Sequence, residues 1–541
     1  MRLLTLLCTV LLCSIAPAQT LTSVEIAKVD EVFSQYAKSD SPGCALGVYR
    51  NGSIAYEHGY GMASLELGAP ITPETVFDIG STSKQFTAFT IQLLQDRGQL
   101  SIDDDIHKFI PEFPNYGSPI TLRHLLSHTS GFRDYTALFE LAGVPEQNLT
   151  TDQDALDLIL RQKALNFKPG EEWDYSNTGF FLLSQVVKRV TGQTLREFDQ
   201  ENIFKPLGMS STQIFDNHAQ IVAHRATGYT YDDQKKTLGV EMSNFEQTGD
   251  GSVQTSVRDL QHWDENFYTA KIGGADAIHR MQAVGKLNNG EEHGYGTGLF
   301  ISKYRGERIV SHGGAWAGYR AELLRFPKQH TSIAVLCNVA QGMPSRRARK
   351  VADVILASVL EPAPTPSSNH DANVPPDMLR TYAGVYKNDK GEYHKIEFKD
   401  GKLLLSTYGI ELVPESATVF RAHEFDAKIT FSPKQMIIDV SGEKPQTFTS
   451  MPTATPKDLS VFAGEYYSAE LDATWEIRLR DGRLTAHVKH DPSEPSPLDP
   501  ISEDLFLVSG GTMQFVLQPR ERAGAFLSVA RIRNLEFVKV K

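Results

Sequence analysis

The chain has 541 residues, 40% of them hydrophobic and 22% charged, with a formal net charge of −12 at pH 7. This is globular composition, and the length accommodates two to four domains. The acidic excess is dispersed, without the basic patch that phosphate-backbone recognition needs, so a nucleic-acid partner is excluded.

The first residues, MRLLTLLCTVLLCSIAPAQT, have the pattern of an export signal. Arg2 supplies the positive end, Leu3 to Ile15 the apolar run, and Ala16-Pro17-Ala18 a small-residue cleavage site. Residues 1–18 are expected to be removed after Ala18, giving a secreted or periplasmic protein. An uncleaved anchor is the alternative, disfavoured because the apolar run is short for a membrane span. No later stretch is long and apolar enough to cross a bilayer. Two cysteines remain after the signal, Cys44 and Cys337, each in a strand-like apolar run. An oxidising compartment permits a bridge, but nothing in the sequence brings the two together, and two buried free thiols are expected. No Cys/His spacing suggests a metal, and no cofactor is expected.

In Val76 to Gly98, Phe86, Phe89, Leu93 and Leu94 recur at helical spacing, with Gly98 at the place of a C-cap. Ser81 and Lys84 stand at the front of this helix as an S-x-x-K pair. Positions i and i+3 share a helix face, so the lysine can reach the serine hydroxyl. Unpaired N–H groups and the positive dipole end at the helix start favour an alkoxide or oxyanion there. Lys84 can accept a proton only when neutral. Lowering an ordinary lysine pKa of about 10.4 to near 7 corresponds to about 4 kcal/mol of desolvation and neighbouring charge. The motif recurs at Ser441-Gly442-Glu443-Lys444, where Pro445 follows and a surface turn is expected.

Two further segments carry candidate chemistry. Tyr175-Ser176-Asn177 precedes another amphipathic helix. A tyrosine beside a lysine can have its pKa lowered and pass a proton to a leaving group, and the Asn177 amide can hold Lys84 or a substrate carbonyl. His312-Gly313-Gly314 follows a strand-like run, and the glycines let a ligand approach the backbone. The N–H of Ala315 would then be the second oxyanion donor.

A helix-like segment, Ser345 to Glu361, runs into the Pro/Ser/Asn-rich stretch 362–376, which is read as a linker. Beyond it the chain repeats itself. YAGVYKN at Tyr382 returns as FAGEYYS at Phe462, and IEFKDGKLLL from Ile396 as IRLRDGRLTA from Ile477. Asp400-Gly401 and Asp481-Gly482 suit two-residue hairpin turns. Two tandem all-β modules are expected, at residues 377–452 and 453–541, after a first domain at 19–361. Small closed barrels would remove the exposed edges of such short strands, and one larger sandwich built from both repeats is the alternative.

The segments FDIGSTSKQFTA, LRHLLSHTSGF, PGEEWDYSNTGFFLL, FKPLGM and SHGGAWAGYRAEL fall in order along the first domain. Together they resemble the serine hydrolases of the penicillin-recognising superfamily, in the branch of class C β-lactamases, D-aminopeptidases and related esterases. The resemblance implies an α+β fold: a five-stranded antiparallel sheet flanked by helices, plus a helical lobe, with Ser81 between lobe and sheet. It implies that Ser81 is the nucleophile, Lys84 its base partner, Tyr175 the proton shuttle and Asn177 a substrate-contacting support. His312, Gly314 and Ala315 would line the substrate and oxyanion side. The two C-terminal β modules match the D-aminopeptidases of this superfamily.

One box departs from the pattern. Lys-Thr-Gly is usual in penicillin-binding enzymes, and here His312-Gly313-Gly314 stands in its place. With an unperturbed pKa of about 6.5 the histidine would be only about a quarter protonated at pH 7. Much of the clamp for a substrate carboxylate is thereby lost. The expected activity is hydrolysis, through an acyl-enzyme, of a small-molecule or short-peptide amide or ester with no essential carboxylate. A β-lactamase or D,D-peptidase is the first alternative, and a non-catalytic cell-wall or peptide sensor the second. An α/β-hydrolase is disfavoured by the lack of a G-x-S-x-G elbow, and a metallohydrolase by the lack of H-E-x-x-H. The oligomeric state is left open.

Overall fold

Strand-forming runs from both ends of the first domain combine into one antiparallel sheet. Its strands are β1 (Cys44–Arg50), β2 (Ser53–Tyr60), β3 (Phe300–Tyr304), β4 (Glu307–Trp316), β5 (Tyr319–Phe326) and β6 (Thr331–Cys337), in the order β3-β4-β5-β6-β1-β2. The computed structural model describes residues 20–540, except 146, 233–234, 363–373, 390, 407–408, 423–426, 441–444, 492–493, 509–510, 518–522 and 530. The expected signal segment, most of the expected linker and the second S-x-x-K at Ser441–Lys444 therefore lie outside the described residues. The sheet has six strands where five were expected. Arg305 and Gly306 both take positive φ, 45° and 85°, and form a two-residue turn that folds β3 back along the edge of β4.

Both faces of the sheet are covered, and the strands show why. Leu46 and Val48 of β1, with Ile333 and Val335 of β6, point to one side. Ala45, Tyr49, Ala334 and Leu336 point to the other. On the first side lie α1 (Ser23–Val32) and, from the other end of the domain, the helix Pro344–Ile355. The second side receives α2 (Lys84–Asp96) and the helical lobe, which includes α3 (Tyr135–Leu141), α4 (Asn177–Thr191) and α5 (Val257–Thr269). From Lys84 to Leu94 every residue of α2 is buried, so it is a central helix rather than one with a single apolar stripe.

β1 and β6 lie side by side with Cys44 directly opposite Cys337, and the two are joined by a disulfide. The expectation of two free thiols is corrected. The pairing is set by strand register between segments 293 residues apart, which no local pattern encodes.

Each C-terminal repeat closes on itself. The first runs from Gly384 to Met451 and the second from Gly464 to Lys539, each an eight-stranded barrel whose first and last strands pair. Asp400-Gly401 and Asp481-Gly482 form the two-residue turns, with φ of 50° and 81° and of 48° and 75°. The first barrel has its own apolar core around Phe420, Phe431 and Phe448. The second, through Phe462, Trp475 and Phe537, is continuous with the core beneath the sheet. Buried Arg133 of the first domain reaches Glu470 of the second barrel at 2.7 Å, and Trp475 Nε1 donates to the Leu141 carbonyl.

Candidate active site

Ser81 lies in a 3₁₀ turn, Gly80–Ser83, which leads directly into α2. The α-helix itself begins at Lys84, one turn later than the sequence suggested. Gly80 takes φ of 49°, and a Cβ there would lie 2.7 Å from the Ala315 nitrogen, so only glycine lets the turn rest against β4. Gly314 is equally constrained, because a Cβ would fall 1.9 Å from the Ile79 carbonyl oxygen. The Thr82 hydroxyl donates to the His312 carbonyl at 3.1 Å and ties turn to strand. Ser83 faces the other way, accepting from the Val253 N–H.

Strand register aims the Ala315 amide. The β4–β5 turn holds two residues, so the flanking pair Trp316–Tyr319 is hydrogen-bonded and the next pair, Ala315–Arg320, is not. The Ala315 N–H therefore points away from β5. On that edge β3 pairs only as far as Ser311, which leaves the amide facing the Ser81 turn.

Lys84 is fully buried, and its Nζ meets three oxygens: Ser81 Oγ at 2.9 Å, Asn177 Oδ1 at 2.8 Å and the Asp250 carbonyl at 2.6 Å. Burial pushes its pKa down to about 7, partly opposed by the charges of Asp250 and Asp134 and assisted by Arg531. Asn177, the first residue of α4, is held in turn by Asp134, whose Oδ2 accepts the Asn177 N–H at 2.6 Å. Asp250 is buried behind the lysine and accepts from the Tyr135 hydroxyl at 3.1 Å; burial raises its pKa to about 6.

Tyr175 is half-buried, with Lys84 Nζ 5.0 Å from its ring centre. Its hydroxyl is enclosed and completes no hydrogen bond among the described residues. Burial raises its pKa above the ordinary tyrosine value, against the pull of the Ser81 hydroxyl and Arg531. The expected lowering is thus reversed, because desolvation outweighs the nearby cations. Tyr175 stays a neutral hydroxyl, suited to donating a proton rather than holding a negative charge. His128, buried with φ of 57°, packs against this ring at 4.2 Å and accepts the Ser176 N–H.

His312 is not a partial cation. Its Nδ1–H donates to the Gly313 carbonyl at 2.6 Å, so its Nε2 accepts from the Tyr295 hydroxyl at 3.0 Å. Burial first, then the Lys84 charge, pushes its pKa down to about 3. The expectation of quarter protonation is corrected: the ring is neutral throughout the physiological range.

These groups surround one cleft of about 830 Å³ between the sheet edge and the helical lobe. Ser81, Tyr175, Asn177, His312, Gly314 and Ala315 all line it, with Lys84 beneath. Sequence reading missed Asp134, Asp250 and His128. It also missed Arg531, a second-barrel residue on the cleft wall. Asp134 had a faint signal in its place before a helix start, where a carboxylate caps N–H groups. The others had none. Among the described residues no cluster of His, Cys, Asp and Glu could hold a metal ion.

A hydroxyl, a lysine buried against it and the Ala315 amide turned toward the same cleft define the class, a serine hydrolase. A family model described as Beta-lactamase matches residues 29–358, and the chain belongs to that family. It is 30% identical over 401 residues to Penicillin-binding protein 4* of Bacillus subtilis (strain 168), covering 70% of this chain and 88% of the relative. It is 28% identical over 442 residues to a D-aminopeptidase of Gluconobacter oxydans (strain 621H), covering 81% of each. Among solved structures it is similar to the octameric penicillin-binding protein homologue from Pyrococcus abyssi. The TM-score is 0.58 at 25% identity, over 78% of this chain and all of that one.

Proposed function

We propose that this protein is an exported hydrolase that cleaves a peptide, amide or ester through an acyl-enzyme at Ser81, in the manner of D-aminopeptidases and related esterases. The observation that carries the reading is the fully buried Lys84 amine 2.9 Å from Ser81 Oγ. In its neutral form Lys84 takes the Ser81 proton as the hydroxyl oxygen attacks the substrate carbonyl. The N–H groups of Ser81 and Ala315 stabilise the oxyanion. Tyr175 hands a proton to the departing amine or alkoxide, and Asn177 keeps Lys84 in place. A water then attacks the acyl carbon, its proton passing back through the same groups, and Ser81 is released.

The D-aminopeptidase relative and the two β-barrel modules support the choice of branch. The neutral His312, in the place of a cationic lysine, counts against the β-lactamase and D,D-peptidase alternatives. Export is supported by the signal-like first 18 residues and by the disulfide, which persists in an oxidising compartment.

The test is a fluorophosphonate probe on the folded protein, with the labelled peptide identified by mass spectrometry and Ser81→Ala as control. Label on Ser81 is expected, and no label there would remove the reading. A panel of D-amino acid amides, short-chain esters and β-lactams then ranks substrates. Nitrocefin turnover well above that of the esters would reverse the choice of branch.

A further inference from the structure

Arg531 lines the catalytic cleft although it belongs to the second barrel. It sits in the turn between that barrel's last two strands, Gly524–Val529 and Ile532–Lys539. The turn is clamped to the first domain from both sides. Asn166 Nδ2 donates to the Arg531 carbonyl at 2.8 Å, and Asn166 Oδ1 accepts the Arg533 N–H at 2.8 Å. Arg133, fixed by its buried pair with Glu470, donates to the carbonyls of Arg533 and Asn534 at 2.8 and 3.0 Å. A turn held by this many directed bonds presents its side chain at a defined place.

The guanidinium lies over the Tyr175 ring, 4.6 Å from the centroid, and its side chain is 41% exposed. Its one carboxylate within 4 Å among the described residues is Asp134, at a long 3.6 Å. Asp134 is already occupied by the Asn177 N–H at 2.6 Å and by the Thr136 hydroxyl and amide. Arg531 thus faces the cleft with hydrogen-bond donors to spare, and a guanidinium carries five in a fork that matches a carboxylate. The other arginine on the cleft wall, Arg320, directs Nη1 to the carbonyls of Ala317 and Tyr319. At His312 there is no charge to offer.

We propose that Arg531 is a specificity-determining residue that binds a carboxylate of the substrate cleaved at Ser81. The second barrel thereby supplies the cation that β4 lacks at His312. The inference rests on the serine-hydrolase reading above and revises its substrate: the expectation of no essential carboxylate gives way to an anionic peptide, amide or ester, so the neutral His312 no longer argues against a carboxylate-bearing substrate. The second barrel is on this account part of the substrate site. Charge-assisted, forked contacts of this kind are about twice as strong as neutral hydrogen bonds.

The test uses the full chain and boronic acids, which form a tetrahedral adduct with an activated serine. Binding of phenylboronic acid is compared by titration calorimetry with that of its 3-carboxy and 4-carboxy derivatives. Wild type should bind at least one carboxylated compound about 10-fold more tightly than the parent. R531Q should reduce that ratio to about 1, and R531K, which keeps the charge without the fork, should retain part of it. Neither carboxylate gaining in wild type, or a preference that survives in R531Q, would overturn the proposal and leave the hydrolase reading intact. Binding of the parent that is absent, or equal in Ser81→Ala, would overturn the hydrolase reading and the proposal with it.

Discussion

Lys84 Nζ stands 2.9 Å from Ser81 Oγ, and its other two contacts are a side-chain amide oxygen and a backbone carbonyl. Among the described residues no carboxylate touches the amine directly. The Asp250 and Asp134 carboxylates act on it only through their charge, so the lysine is held in place without being locked in its protonated state. Replacing it with methionine keeps the bulk but takes the donor from the Ser81, Asn177 and Asp250 oxygens, so Lys84→Met should fold with a stability loss of about 1–3 kcal/mol. Acylation should slow by about 10³-fold, the scale of a lost general base. Burst kinetics on an activated ester, beside a urea melt, check both halves. Acylation within 10-fold of wild type would exclude Lys84 as the base.

Activity should rise with pH through about 7, where Lys84 loses its proton. With the neutral amine as the proposed base, the acidic limb belongs to its protonated form. Because the Asp250 charge raises the Lys84 pKa, Asp250→Asn should move that limb to lower pH. The profile of kcat/KM from pH 5 to 9 for the two proteins is the measurement. An unmoved limb would mean that another group titrates.

Gly314→Ala isolates the oxyanion wall. Its new methyl would fall 1.9 Å from the Ile79 oxygen, which is backbone and cannot step aside. β4 must then retreat from the Ser81 turn and carry the Ala315 amide with it. A loss of about 10²- to 10³-fold in kcat is expected, the scale of one missing oxyanion donor. The strain should cost about 1–3 kcal/mol of stability. Steady-state kinetics and thermal unfolding read the two effects separately.

The parts of this architecture that were legible in the sequence are those with a local signature. Asp400-Gly401 and Asp481-Gly482 announce their turns because only residues tolerant of positive φ fit there, and the repeats around them imply two modules. Ser81, Lys84, Tyr175, Asn177, His312, Gly314 and Ala315 could be picked out because short motifs set their spacing, and the fold gathers them at one cleft. What stayed hidden depends on where distant segments meet. Cys44 and Cys337 pair by register, and Arg531 enters the cleft only because Asn166 and Arg133 hold its turn. The charge states of Tyr175 and His312 were hidden for the same reason, whereas the lowering of Lys84 was expected. Tyr175 and His312 shift through enclosure by packed neighbours, and enclosure has no signature in a motif.

The Cys44–Cys337 bond links β1 to β6 on the sheet and lies in the core cluster with Leu46 and Val335, on the face away from Ala45 and Leu336. Cys44→Ser with Cys337→Ser should lower stability by about 2–4 kcal/mol. kcat should change less than 2-fold, because Ser81 and its partners sit on other elements. Urea melts under oxidising and reducing conditions test this. Wild type should lose the difference on reduction, and the double variant should be insensitive to it.

The Arg133–Glu470 pair joins the second barrel to the first domain. Both side chains are almost completely enclosed, 1% and 4% exposed, and Glu470 also accepts the Lys163 N–H at 2.7 Å. Glu470→Ala leaves the Arg133 guanidinium buried without its counter-charge, an imbalance worth about 3–5 kcal/mol. Arg133 also donates to the carbonyls of Arg533 and Asn534, so the cost should fall on the interface that sets Arg531 over Tyr175. The expected outcome is protection lost first in Gly524–Lys539 by hydrogen exchange, with the Lys84–Asp96 helix still protected. Uniform loss across the chain would mean that barrel and first domain unfold as a single cooperative unit, an outcome consistent with their continuous apolar core. Unchanged protection throughout would show that the pair contributes nothing to docking.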